Sequence, residues 1–164
     1  MFYSQTYGKI KLKDIPNKLK DFYTNNKVYE RPFNIIIGTD SQTNRETKVV
    51  TVISILCEGH GGIFFYKTKV VDKLHDVRAK LHVETMDSLE VAEELVSILE
   101  NNKEFEELFL ECPISIHVDA GNSPNGKTAI LIPELIGWIK ACGYEAEVKP
   151  DSFIASSVAD RISK

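Results

Sequence analysis

Three hydrophobic, β-rich runs follow one another closely: "FNIIIGTDS" from Phe33, "KVVTVISILCEG" from Lys48 and "GGIFFYKTKVV" from Gly61. Ile, Val, Phe and Thr suit an extended, pleated surface. The second and third runs meet at Gly59, His60, Gly61 and Gly62, which is hairpin chemistry. Pro32 ends the lead-in to the first. The spacing predicts three strands in an antiparallel meander.

The remainder alternates. From about Val77 to Asn101 the period becomes helical, with Leu81, Leu89, Ala92, Val96 and Leu99 on one stripe. "PISIHVDA" predicts a fourth strand, "TAILIPELIGWIKACG" a second helix ending at Gly143, "YEAEVKP" a fifth strand and "DSFIASSVADRISK" a last helix. "DIPNKLKDFYTNN" reads as a short amphipathic helix. The expectation is an α/β fold: a mixed five-stranded sheet, three antiparallel strands then β-α-β-α-β-α, with helices on both faces. One domain over 1–164 is expected, with 1–30 as a helical extension.

At 164 residues, 43% hydrophobic and 27% charged, the chain suits one soluble globular domain. No apolar run approaches the roughly 20 residues that span a bilayer. The N-terminus lacks a secretory pattern. Cys57, Cys112 and Cys142 sit in apolar settings without a C-x-x-C pair, so buried reduced thiols in a cytoplasmic protein are expected. A net charge of −4 brings no long-range attraction for nucleic acid, and it does not exclude local basic clusters. The sequence shows no basic-aromatic strip like those that hold single strands.

"DAGNSPNGKTAIL" contains G-x-x-x-x-G-K-[ST] at Gly121, Gly126, Lys127 and Thr128. A phosphate loop needs a strand, a glycine turn and a helix N-terminus. The antiparallel meander before it and the single strand after it, which ends without an aspartate, oppose that reading. "NSPNG" is ordinary turn chemistry, and a turn that merely fits the pattern is the favoured reading.

Asp40 closes the first strand in "IIIGTDSQ", and Asp119 closes the fourth in "ISIHVDAG". Each alone could be a turn-starting aspartate. Two acids on neighbouring strand ends would repel one another, and a divalent cation is the common resolution. The order of elements and acids resembles the ribonuclease H-like superfamily. "GTDSQ", "GHGG" and "ET…SLE" look more narrowly like its YkuK-type family of bacterial proteins, over about 33–164. The resemblance implies a carboxylate set of Asp40, Glu84, Asp119 and Asp160 as catalytic and metal-binding residues, with Mg²⁺ or Mn²⁺ as cofactor. It implies a metal-dependent nuclease or related phosphoryl-transfer enzyme acting on RNA or DNA.

Glu84 has Asp87 and Glu90 as rivals; helical spacing puts Glu84 in line with Val91, Leu95 and Ile98, toward the sheet. Asp151 competes with Asp160 and is a ready N-cap. Ser41, Asn125 and Lys127 are the candidate substrate contacts, Lys127 as a point charge on a nucleic-acid backbone. His117 shares a strand face with Asp119, which admits a His-plus-carboxylate site; a structural histidine under a helix is favoured for it and for His82. Two other functions stay open: a non-catalytic module binding RNA or a protein, and a nucleotide-binding protein using the 121–128 loop.

Overall fold

The computed structural model describes residues 1–121, 128–149, 152 and 154. Its strands are β1 (Phe2–Ser4), β2 (Gly8–Ile10), β3 (Phe33–Thr43), β4 (Thr47–Cys57), β5 (Gly61–Val71), β6 (Ile114–Gly121) and β7 (Glu145–Lys149). They form one seven-stranded sheet in the order β2-β1-β5-β4-β3-β6-β7. The β3–β4 and β4–β5 pairs are antiparallel, while β6 and β7 join parallel. The expected meander and crossovers are therefore present, with β3 joining the antiparallel strands to the parallel ones.

The chain builds these elements for local reasons. Residues 49–55 of β4 are buried on both faces, which accounts for an apolar run without alternation. Gly59 and Gly61 carry φ of 77° and 78°, a left-handed geometry that suits glycine and turns β4 back into β5. Helix α1 (Ile15–Asn26) turns Ile15, Leu19 and Tyr23 inward. Helix α2 (Val77–Glu100) starts where the Asp76 side chain accepts the Ala79 N–H at 2.7 Å. A short α3 (Glu106–Glu111) precedes β6, and α4 (Ile132–Ala141) begins at a proline in its first turn.

One large core joins Ile35 and Ile37 of β3, Ile116 and Val118 of β6, and buried residues of helices α1 to α4. A smaller cluster on the alternate positions, Ile36, Val50 and Val52, receives Ile154. Beyond Ser152 and Ile154, the expected last helix lies outside the described residues.

Four details depart from the sequence-based expectation. The first 30 residues are not a purely helical extension, because β1 and β2 add a hairpin to the β5 edge through Tyr3 and Tyr66. Its three-residue strands are too short to show a period of two. Helix α3 was not anticipated. Helix α4 starts at Ile132, after a turn at 128–130, because Pro133 sets its first turn. Cys57 and Cys112 are buried and free as expected, and burial pushes the Cys112 thiol up to about 12; Cys142, at the α4 C-cap, is exposed. Among the described residues no helix is long and apolar enough to cross a membrane.

Gly62 makes a close approach that tests this packing. A Cβ there would strike the Ile55 carbonyl oxygen and the Leu56 side chain. Gly62→Ala is expected to cost about 1–3 kcal/mol, as overpacking does, read as a lowered midpoint in a denaturant melt. A wild-type midpoint would contradict the β4–β5 register.

Candidate active site

The parallel ladder between β3 and β6 runs from Ile35↔Ile114 to Thr39↔Val118. Asp40 and Asp119 come next in that register, just where the two strands part. Asp40 does not end its strand, however. Strand β3 runs on to Thr43, with Asp40 opposite Val50 of β4. Asp119 likewise lies two residues inside the end of β6. What ends there is the parallel ladder alone.

Glu84 enters from α2. Its carboxyl is buried at 7% exposure and accepts the Ser41 hydroxyl at 2.5 Å. One helical turn on, Ser88 shares a hydrogen bond of 2.7 Å with Thr39, which also donates to Thr51 at 3.2 Å. This buried hydroxyl chain ties α2 to β3 and β4, and fixes the height at which Glu84 meets the sheet. Glu90, its rival, is exposed. Asp87 is buried against the Lys69 ammonium at 2.7 Å, with its second oxygen lacking a partner among the described residues.

The three acids feel one another. Burial, and then the charges of Asp40 and Asp119, push Glu84 up to about 8 against the Ser41 hydrogen bond. Burial and the Asp119 charge raise Asp40 to about 6, while the Ser41 N–H, 2.8 Å from its Oδ1, opposes the rise. Lys149 of β7 places its ammonium 2.7 Å from Asp119 Oδ1, and the Asp119 carboxylate holds that ammonium above its usual range. Among the described residues, Lys149 is the counter-charge nearest these three acids. Such a pocket attracts further cation, and oxygen-only donors suit Mg²⁺ or Mn²⁺. Among the described residues, no three Asp, Glu, His or Cys side chains converge closely enough to hold an ion as they stand.

The other candidates divide. Ser41 is engaged with Glu84 rather than open to a ligand. Asn125, Lys127, Asp151 and Asp160 lie outside the described residues. Of the 121–128 pattern only its two ends are described, and α4 begins four residues after Thr128, so no α-helix N-terminus stands at Thr128. His117 is buried on β6. His82 is half-exposed, 5.8 Å from the Trp138 ring and 3.3 Å from Glu134 Oε1. Sequence reasoning missed Lys149. Nothing local marks it, because its place beside Asp119 follows from the β6–β7 pairing, which re-forms at Gly121↔Lys149 after a register shift.

Comparison with known proteins gives three findings. A family model described as ribonuclease H-like matches residues 14–164. The chain is 32% identical over 171 residues to "Uncharacterized protein YkuK" of Bacillus subtilis (strain 168), covering all of this chain and 97% of that protein. Among solved structures, a Mos1 transposase catalytic domain with Raltegravir and Mg aligns at 8% identity and a TM-score of 0.31, over 93% of this chain and 71% of that one.

Proposed function

Because the chain belongs to the ribonuclease H-like family, we propose that it is a divalent-metal-dependent nuclease, or a related phosphoryl-transfer enzyme, acting on nucleic-acid phosphodiesters. That family includes nucleases and transposases. The observation that carries the reading is that Asp40 of β3 and Asp119 of β6 follow the last pair of the parallel ladder, with the buried Glu84 of α2 near enough for their charges to act on it. A fold spends stability on such a group where chemistry needs it.

Asp40, Asp119 and Glu84 would hold the Mg²⁺ or Mn²⁺, with Asp160 proposed as a fourth ligand. The ions would supply an activated water and stabilise the leaving oxygen of the cleaved phosphodiester. The chain's own part is orientation. Ser41 fixes the Glu84 carboxyl and acts as a positioning residue. Thr39 and Ser88 hold α2 at its height. Lys149 neutralises Asp119. Asn125 and Lys127 follow Asp119 closely in sequence and are proposed phosphate contacts.

The test is a cleavage assay on labelled single- and double-stranded RNA and DNA, with Mg²⁺, Mn²⁺ or EDTA. Cleavage with either metal and none in EDTA is expected. Absence of cleavage on every substrate would overturn the reading. It would favour a non-catalytic module binding nucleic acid or protein, to which the Lys149–Asp119 pair lends support as a built-in replacement for a cation.

A further inference from the structure

We propose that Lys69 is a substrate-binding residue of this site: its ammonium, aimed by the buried Asp87, contacts a phosphate of the nucleic acid outside the cleaved linkage. The proposal rests on the nuclease reading and adds a binding residue, with Asp87 as the residue that positions it.

Strand register brings this pair toward the acids. Ser41 of β3 lies opposite Val49 of β4, and Val49 lies opposite Lys69 of β5. Residues in one such row share a face, and strands stand about 4.8 Å apart, so Lys69 starts roughly 10 Å from Ser41. That face is the one α2 covers, because Ser41 donates to Glu84. Asp87 follows Glu84 by three residues, which puts their Cβ atoms about 5–6 Å apart on the helix. The Lys69 side chain reaches this turn and sets its Nζ 2.7 Å from Asp87 Oδ1. Lys149 approaches from β7, and Lys69 from β5, on the other side of β3.

The two partners are unequally buried. The Asp87 side chain is 4% exposed, whereas that of Lys69 is 46% exposed. Burying a carboxylate is costly, and Asp87 Oδ2 has no partner among the described residues. A half-exposed lysine returns little of that cost as stability. The arrangement does, however, fix where a cation points. An ammonium has three donors, and among the described residues Asp87 takes one of them, which leaves the others for an anion. Lys67 supplies the contrast. It precedes Lys69 by two on the same face of β5, yet its ammonium turns to the Phe2 ring at 5.5 Å.

Phosphate is the anion this place would meet. Carboxylates at Asp40, Glu84 and Asp119 repel a phosphodiester backbone, on a chain whose net charge is −4. A lysine one helical turn away offsets that repulsion as a point charge. Its distance from the acids assigns it to a phosphate beside the reacting one.

Fluorescence anisotropy on the full chain in EDTA, with labelled RNA and DNA oligonucleotides, tests the contact. Lys69→Gln should weaken binding about tenfold at low salt, the scale of one hydrogen bond to a charged group. It should also reduce the slope of log affinity against log salt, by about 0.7 for a single strand or about 0.9 for a duplex. Lys69→Arg should restore the slope. Lys69→Gln leaves Asp87 buried without its cation. The double variant Asp87→Asn with Lys69→Gln removes both charges, guards against a folding defect and should show the same reduced slope. Asp87→Asn alone should weaken binding although it removes a negative charge, because Lys69 loses its aim. An ion pair that merely ties α2 to β5 predicts a wild-type slope in every variant, with unchanged or tighter binding in Asp87→Asn. That result, or no measurable binding by the wild type, would overturn the proposal. Metal-dependent cleavage by the wild type scores the nuclease reading separately, so the two failures are distinguishable.

Discussion

Asp40→Asn is expected to reduce metal-dependent cleavage to background while the protein stays folded. Asparagine keeps the size and one acceptor oxygen for the Ser41 N–H but removes the charge an ion requires. Its melt should report the same loss. A ligand that binds only the folded state stabilises it by about 2.7 kcal/mol at a hundredfold excess over Kd, roughly 5–10 °C for a chain of this size. The wild type should gain on that scale with Mn²⁺, and the variant much less. Without metal the variant should melt at or above the wild type, because repulsion from Asp119 and Glu84 is relieved. An aspartate that merely shaped a turn would give the reverse: lost stability and an unchanged metal response.

Glu84→Gln is expected to remove most of the pH dependence of metal-free stability. Glu84 titrates near 8 in the folded chain against 4.5 ordinarily. Between these values the folded state holds a proton that the unfolded state has released. Stability from the protonated form is therefore complete below about 4.5, and is lost as pH rises toward 8. Asp40, raised to about 6, adds the same sign over the lower part of that window. In EDTA the wild type should lose on the order of a few kcal/mol between pH 5 and pH 8. Glutamine cannot ionise, yet still accepts the Ser41 hydroxyl, so the variant should keep only the shallower Asp40 part. Melts of both proteins at pH 5, 6.5 and 8 measure it. Parallel declines would show that the buried carboxyl is not the cause.

Much of this arrangement was legible because it rests on periodicity. The β4 run is apolar on both faces, and α2 repeats its stripe over six turns, so each element declared itself. Glu84 was placed toward the sheet by the same helical spacing that buries Val91 and Leu95. Features that depend on pairing between distant segments were not legible. Lys149 reaches Asp119 only through a shifted β6–β7 register. Tyr3 reaches Tyr66 through a one-residue bridge from a three-residue strand. Asp40 looked like a strand end because Gly38, Thr39 and Asp40 carry turn composition. The antiparallel ladder with β4 overrides that local preference and carries β3 three residues further.

The central claim is that Asp40, Glu84 and Asp119 form a cation site. A crystal soaked in Mn²⁺ and measured for anomalous scattering tests it most directly. The account predicts Mn²⁺ bonded to Asp40 and Asp119 beside Glu84, with the Lys149 ammonium displaced from Asp119. An anomalous map empty beside these carboxylates, with Lys149 still 2.7 Å from Asp119 as it is now, would contradict it.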